Sequence, residues 1–143
     1  MKLAVVRIRG VRDIAPRIKK TLELLRLEKP NNCVLMEDSK QNIGMLEHAK
    51  DYVTYGPVDE GTIFSLLYKR GRKGEAYLRT SLKEEGVKKA AKEIFSGKKT
   101  ADFVNPVFRL SPPSKGFRSI KVTYPLGELG RRADMAPLLR KMI

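Results

Sequence analysis

The sequence has no tryptophan, one cysteine and one histidine in 143 residues. With Cys33 alone, no intramolecular disulfide and no cysteine-based metal site can form. The single histidine, His48, cannot by itself build a catalytic triad or a metal centre, since both need convergent partners. No cofactor or metal is therefore expected. Cys33 lies in an apolar run and reads as a buried, inert thiol; His48, beside Glu47, reads as a partly exposed helix residue. This sparing use of Cys and His fits a reducing cytoplasm. Long apolar runs are missing too: nothing approaches the ~18–20 residues of a spanning helix, and no signal-peptide pattern opens the chain. No membrane partner is expected. Internal repeats and low-complexity tracts are also absent. A chain of this length supports one domain, or one core with an appendage, and folding buries roughly 68–70% of its surface without disulfides.

Acidic charge is scarce: 16 Asp and Glu stand against 30 Lys and Arg, a formal net charge of +14. Such an excess repels itself in the compact state and favours association with polyanions, nucleic acid first among them. The excess is uneven. Residues 1–29 carry net +6, residues 30–68 net −4, and residues 69–104 and 105–143 net +6 each. An acidic middle between basic flanks points to a molecule with one anion-facing side.

The chain is organised around Lys2 to Leu27. Its first residues alternate, with Ala4, Val6 and Ile8 on one face of a strand and Arg7 and Arg9 on the other, which places both arginines at the solvent edge. Gly10 marks a turn and Pro16 suits the first turn of a helix. Ile14, Ile18, Thr21, Leu22 and Leu25 follow at helical spacing. Pro30, Asn31 and Asn32 end that helix. Cys33 to Glu37 reads as a second strand, Ser39 as the N-cap of a helix to about Lys50, and Tyr52 to Tyr55 as a third strand stopped by Gly56-Pro57.

The first 56 residues thus read β-α-β-α-β, with helices on one face of the sheet. A strand–helix–strand unit defaults to parallel pairing, although antiparallel pairing stays open. Beyond it, Asp59 caps a helix over about 60–71 that ends in a glycine cap at Gly71. Ser81 with Glu84 fits a capping box, but Gly86 favours a helix over about 87–96. Residues 105–110 and 119–124, joined across the Pro112-Pro113 loop, read as a hairpin arm over about 105–124. A Gly- and Arg-rich turn, 127–132, precedes a terminal helix over about 134–142.

Two chemistries compete. The carboxylates Glu37, Asp38, Glu47, Asp51, Asp59 and Glu60 stand mostly at helix starts and turns, where capping and solubility account for them. A strand ending Arg9-Gly10 and feeding a helix suggests a phosphate-binding turn, as in a small acylphosphatase-like hydrolase, but it has one glycine and no following Lys-Ser or Lys-Thr. RNA contact needs cations for phosphates, polar groups for the 2′-hydroxyl and planar groups for unpaired bases. Tyr68, Lys69, Arg70, Arg72 and Lys73 supply one such cluster among glycines. Arg109, Lys115, Phe117, Arg118 and Lys121, with Phe108 and Tyr124, supply a second. Arg131 and Arg132 make a third, and Arg7, Arg9, Arg12, Arg17 and Lys20 border the opening strand and helix. Three basic clusters interleaved with Gly, Pro and aromatics favour an RNA-binding protein over a merely solvated surface.

Four segments carry a family resemblance: Val6-Arg-Ile-Arg-Gly10 with Pro16 six residues on, Lys19 to Leu27, Tyr68 to Gly71, and Phe108 to Pro113. In that order they closely resemble the L-seven/L-thirty family of large-subunit ribosomal proteins, in its archaeal form. The resemblance implies an α+β fold whose β-α-β-α-β core has a three-stranded, largely antiparallel, ferredoxin-like sheet of order 3-1-2. It implies a core over 1–57 and an archaeal- and eukaryotic-type extension over 58–143 comprising the helical segment, the arm and the terminal helix. It also implies no enzymatic activity and no small-molecule substrate. The implied partners are large-subunit ribosomal RNA and neighbouring ribosomal proteins, on cytoplasmic ribosomes. The alternatives are a small phosphate-ester hydrolase of acylphosphatase-like type and an RNA-binding module acting outside the ribosome.

Overall fold

A computed structural model of the chain describes residues 2–10, 12, 14–99, 104–117, 124 and 126–143. The chain runs β1 (Lys2–Arg7), α1 (Pro16–Leu24), β2 (Asn32–Glu37), α2 (Lys40–His48), β3 (Val53–Pro57), α3 (Glu60–Arg70), β4 (Arg72–Lys73), β5 (Ala76–Tyr77), α4 (Leu78–Ser81), α5 (Glu84–Phe95), β6 (Val107–Arg109), β7 (Gly130–Arg131) and α6 (Ala136–Met142). The fold is α+β. One five-stranded sheet has the order β6-β2-β1-β3-β7, and β4 pairs with β5 in a separate two-stranded hairpin.

The inner strands have the order 3-1-2, with β1 central and antiparallel to both neighbours. The parallel default is therefore overturned. Val6 pairs with Cys33, so β2 starts beside the end of β1, and the α1 connection leaves and rejoins the sheet at one end. The crossover is instead β2-α2-β3, with β1 inserted between its two strands.

The two helices of the first 56 residues, α1 and α2, share one face of the sheet as expected, and helices beyond residue 57 cover the other. Leu3, Val5, Val34 and Tyr55 pack with Leu22, Leu25 and Leu46 of the α1/α2 layer. Ala4, Val6, Cys33 and Leu35 pack with Ile63, Leu66, Leu67, Ile94 and Leu139 of the α3, α5 and α6 layer. Consequently every residue of β1 is buried, whatever its parity. Burial pushes the Cys33 thiol up to about 12, which keeps it protonated and inert.

Residues beyond 57 add both sheet edges. The strand read at 105–110 exists as β6, and its partner is β2, with Cys33 opposite Phe108. Phe108 is 0% exposed, so this part of the proposed arm belongs to the core. Its second strand, 119–124, lies outside the described residues except for Tyr124. Within the 127–132 turn, β7 pairs in parallel with β3. Gly56 permits that approach, because a Cβ there would lie 2.7 Å from the Arg132 carbonyl oxygen.

Local signals explain most helix ends. Ser39 Oγ accepts from the Asn42 N–H at 3.2 Å, and Asp59 Oδ1 from the Thr62 N–H at 2.9 Å. Helix α3 ends at Gly71, but with φ −67 rather than in a left-handed cap. Glycine is required there because a Cβ would lie 2.4 Å from the Leu67 carbonyl oxygen. Helix α5 starts at Glu84, three residues before the expected Val87, with Glu84 and Glu85 complementing the dipole of its first turn.

Arg7 departs furthest from its expected place. It is 3% exposed and lies on the α1/α2 face, not on an open face. Its Nε donates to the Arg9 carbonyl at 3.0 Å, Nη1 to the Leu27 carbonyl at 2.7 Å, and Nη2 to the Gly10 carbonyl at 3.1 Å. Its own carbonyl accepts from the Asn31 N–H at 2.8 Å. Burial lowers its pKa from the ordinary value, against a raising contribution from Tyr52. Arginine nonetheless stays protonated.

Substitution tests these ties. Arg7→Met keeps the length of the side chain but strands three carbonyls, and should cost about 2–4 kcal/mol in urea unfolding while speeding hydrogen exchange at the Asn31 amide. Wild-type values for both would refute the role. Asp59→Ala should cost about 1 kcal/mol at pH 7. Hydrogen bonds from Thr62 hold the Asp59 carboxyl below its ordinary range. A lowered folded-state pKa contributes stability above the unfolded value, about 3.9, that is lost as pH falls through the folded one. The gap between wild type and Asp59→Ala should therefore narrow in acid, as read by thermal midpoints between pH 7 and pH 2.5.

Candidate nucleic-acid interface

The α1–β2 turn and the segment around the β4–β5 hairpin and β6 face each other across a groove of about 750 Å³. One wall is Arg26, Glu28, Lys29 and Asn32; the other includes Arg70, Arg72, Glu75, Tyr77, Asn105 and Arg109. Five cations thus stand against two carboxylates, with two amides and one aromatic ring among them. The mixture matches what a phosphodiester strand requires: charge for phosphates, amides for hydroxyls and base edges, and a planar group.

Each wall is held in place. Arg7 fixes the first through the backbone of Leu27 and Asn31. Asn32 sits opposite Arg109 in the sheet register, and Leu110 N–H donates to the Asn31 carbonyl at 3.1 Å. Asn105 docks the hairpin: its N–H donates to the Arg72 carbonyl at 2.7 Å and its Nδ2 to the Gly74 carbonyl at 3.0 Å. On the hairpin, Arg72 Nη2 donates to the Tyr77 hydroxyl at 2.9 Å, and the Arg72 and Arg79 guanidiniums lie 4.6 and 4.7 Å from the centre of that ring. The Arg72 hydrogen bond, then its charge, lowers the Tyr77 pKa. Arg70 Nη2 donates to Ser111 Oγ at 2.6 Å. By contrast, among the described residues the side chains of Arg26, Lys29 and Arg109 make no hydrogen bond or ion pair, which leaves their charges available to a ligand.

The structure therefore joins parts of two expected clusters, Arg70 and Arg72 with Arg109, although nearly forty residues separate them in sequence. Other candidates lie elsewhere. Arg9 is half-buried, its guanidinium 5.2 Å from the Tyr52 ring centre. Arg12, Arg17, Lys20, Lys69, Lys73, Lys115 and Arg131 are exposed but do not line the groove. Tyr68 stacks on Phe64 with ring centres 5.7 Å apart, and both pack against the core, as does Phe117. Arg118 and Lys121 lie outside the described residues.

Two arginines expected at the surface are internal ties. Arg7 is one. Arg132 is the other: 8% exposed, it pairs with Glu128, its Nε donates to Thr54 Oγ1 at 2.8 Å, and its guanidinium lies 5.0 Å from the Tyr124 ring. Thr54 Oγ1 donates onward to the Gly130 carbonyl at 3.0 Å. This bracket fastens the extension to β3.

Sequence reasoning missed Arg26, Lys29, Asn32, Tyr77 and Asn105. The only local signal was two cations and two asparagines in the turn that ends α1. Among the described residues, no group of His, Cys, Asp and Glu could hold a metal ion, and no helix is long and apolar enough to cross a membrane.

Comparison with known proteins identifies the family. The family described as "Ribosomal protein L30p/L7e" matches residues 3–53. The "Large ribosomal subunit protein uL30" of Archaeoglobus fulgidus is 40% identical, over 97% of this chain and 98% of its own length. The protein of that name from Methanococcus maripaludis is 39% identical over the whole of both chains, and that from Methanothrix thermoacetophila 37% identical over 97% of this chain and 98% of its own. The chain belongs to the L30p/L7e family of ribosomal proteins.

Proposed function

We propose that the protein is a non-catalytic, structural constituent of the large ribosomal subunit, working in the cytoplasm, that binds and stabilises ribosomal RNA. The groove is the observation that carries the RNA contact: it collects cations from distant parts of the chain, several of which have no partner among the described residues. Arg70, Arg72 and Arg109 are its contacts among the residues named from sequence. Arg9, Arg12, Arg17 and Lys20, with Lys69, Lys73, Lys115, Arg118, Lys121 and Arg131, meet further phosphates, while Tyr68 and Phe117 support the surface beside them. Burial argues against direct contact by Arg7 and Arg132. We take residues 1–57 as the core unit and 58–143 as an extension built onto it, a division supported by the family match to 3–53. Neighbouring ribosomal proteins are the remaining partners. Neither a phosphate-ester hydrolase nor an RNA module outside the ribosome has support in the comparisons.

Binding by charge pairing releases counterions, so affinity must fall steeply with salt. If ~6–10 phosphates are neutralised, the affinity for deproteinised large-subunit RNA should drop about 10³–10⁵-fold between 50 and 200 mM salt, by analogy with duplex DNA. Arg109→Ala should weaken binding and reduce the logarithmic salt slope by about 1. A flat salt response in filter binding would overturn the RNA reading. Failure of the protein to sediment with large subunits at high salt would overturn the ribosomal one.

A further inference from the structure

The first wall of the groove contains a backbone anomaly. Helix α1 ends in two bonds of a Schellman motif: the Leu27 N–H donates to the Leu22 carbonyl at 2.9 Å, and the Arg26 N–H to the Glu23 carbonyl at 3.0 Å. Leu22 and Leu27, both almost wholly buried, complete the hydrophobic contact of that motif. The residue between Leu25 and Leu27 must be left-handed, and glycine occupies such a position most readily because it has no Cβ to clash. Here it is Arg26, with φ 62.

An arginine in this conformation is strained relative to glycine; the Schellman bonds and the Leu22–Leu27 contact hold the backbone, but they would do so for glycine as well. The side chain is exposed and, among the described residues, makes no hydrogen bond or ion pair. What it does is line the groove, facing Arg70, Arg72 and Arg109. Like charges gathered in one groove repel each other, so the free protein is penalised a second time by the same residue. An anionic strand lying between the walls removes the repulsion and gives the guanidinium a partner.

We infer that Arg26 is a phosphate-contacting residue for ribosomal RNA, held in a conformation that lowers the stability of the free protein. The inference rests on the RNA reading of the groove. The left-handed backbone projects the side chain from a turn that Arg7 anchors on its far side, at the Leu27 and Asn31 backbone. The contact is therefore pre-positioned, and its cost falls on folding rather than on binding.

Arg26→Gly and Arg26→Lys test this, since both are compatible with the turn and the second retains strain and charge. Thermal unfolding of the free proteins and filter binding of deproteinised large-subunit RNA across 50–400 mM salt are the readouts. Arg26→Gly should raise the thermal midpoint by about 2–4 °C, weaken RNA binding about tenfold at low salt and reduce the logarithmic salt slope by about 1. Arg26→Lys should keep the wild-type slope and midpoint. Wild-type affinity and slope in Arg26→Gly would overturn the assignment and leave the RNA reading standing. A midpoint that fails to rise would overturn the strain, and loss of slope in Arg26→Lys would overturn the charge contact. Absence of salt-dependent binding by the wild type would remove both this inference and the RNA reading it rests on.

Discussion

A buried guanidinium with no carboxylate partner among the described residues is the constraint on which the groove depends. The central strand is hydrogen-bonded along both sides and covered by helices on both faces. Its last residue, Arg7, is thus only 3% exposed, and its donors turn to protein groups. Three carbonyls, at Arg9, Gly10 and Leu27, each accept a hydrogen bond from one of its three nitrogens. In doing so they fold the chain back after β1 and fix the end of α1. With the Arg7 carbonyl holding Asn31, the turn between α1 and β2 is pinned near both its ends. A buried polar group in a low-dielectric interior is costly unless fully bonded, and fully bonded it makes the local geometry unique. The cost of burying Arg7 and the precision of the groove wall are one effect.

The same logic recurs at the opposite edge. Arg132 enters the interior with Glu128 and Thr54 and fixes β7 against β3. A net charge of +14 counts these arginines with the others, yet they contribute nothing to the field at the groove by direct contact. Among the described residues, cations therefore divide into buried ones tied to protein groups, such as Arg7, Arg132 and Lys2, and exposed ones, of which Arg26, Lys29 and Arg109 make no hydrogen bond or ion pair. Under the proposed function, only the second kind is placed to meet a polyanionic partner. Division by burial, not by clustering along the chain, separates the two.

That division explains which features were legible in the sequence. Helix starts were, because Ser39 and Asp59 act on backbone groups three residues away and need nothing distant. The central strand was visible from its alternation, but alternation names two faces without saying which meets water. Arg7 was placed outside because polar residues ordinarily are; a second helical layer, built from residues dozens of positions away, reverses the conclusion. The antiparallel order was not contained in local periodicity and came from family resemblance. Phe108 was read as part of an arm because a short strand does not announce its partner, and its pairing with Cys33 spans 75 positions.

The groove was illegible for a related reason. Its walls come from residues 26–32, 70–77 and 105–109, one piece from the β-α-β-α-β core and two from the extension. The 70–77 piece was visible as a basic cluster, but the other two pieces carry only two cations and one. Charge density arises only when β6 pairs with β2 and Asn105 docks the hairpin beside it. The extension therefore does more than append cations to an existing platform: it closes a concave site whose other wall the core already holds rigid through Arg7. Concavity matters because walls of protein keep water away from one side of each charge and so strengthen its attraction for a phosphate between them. A flat surface with the same five cations would bind the same polyanion more weakly and with less control over where it lies.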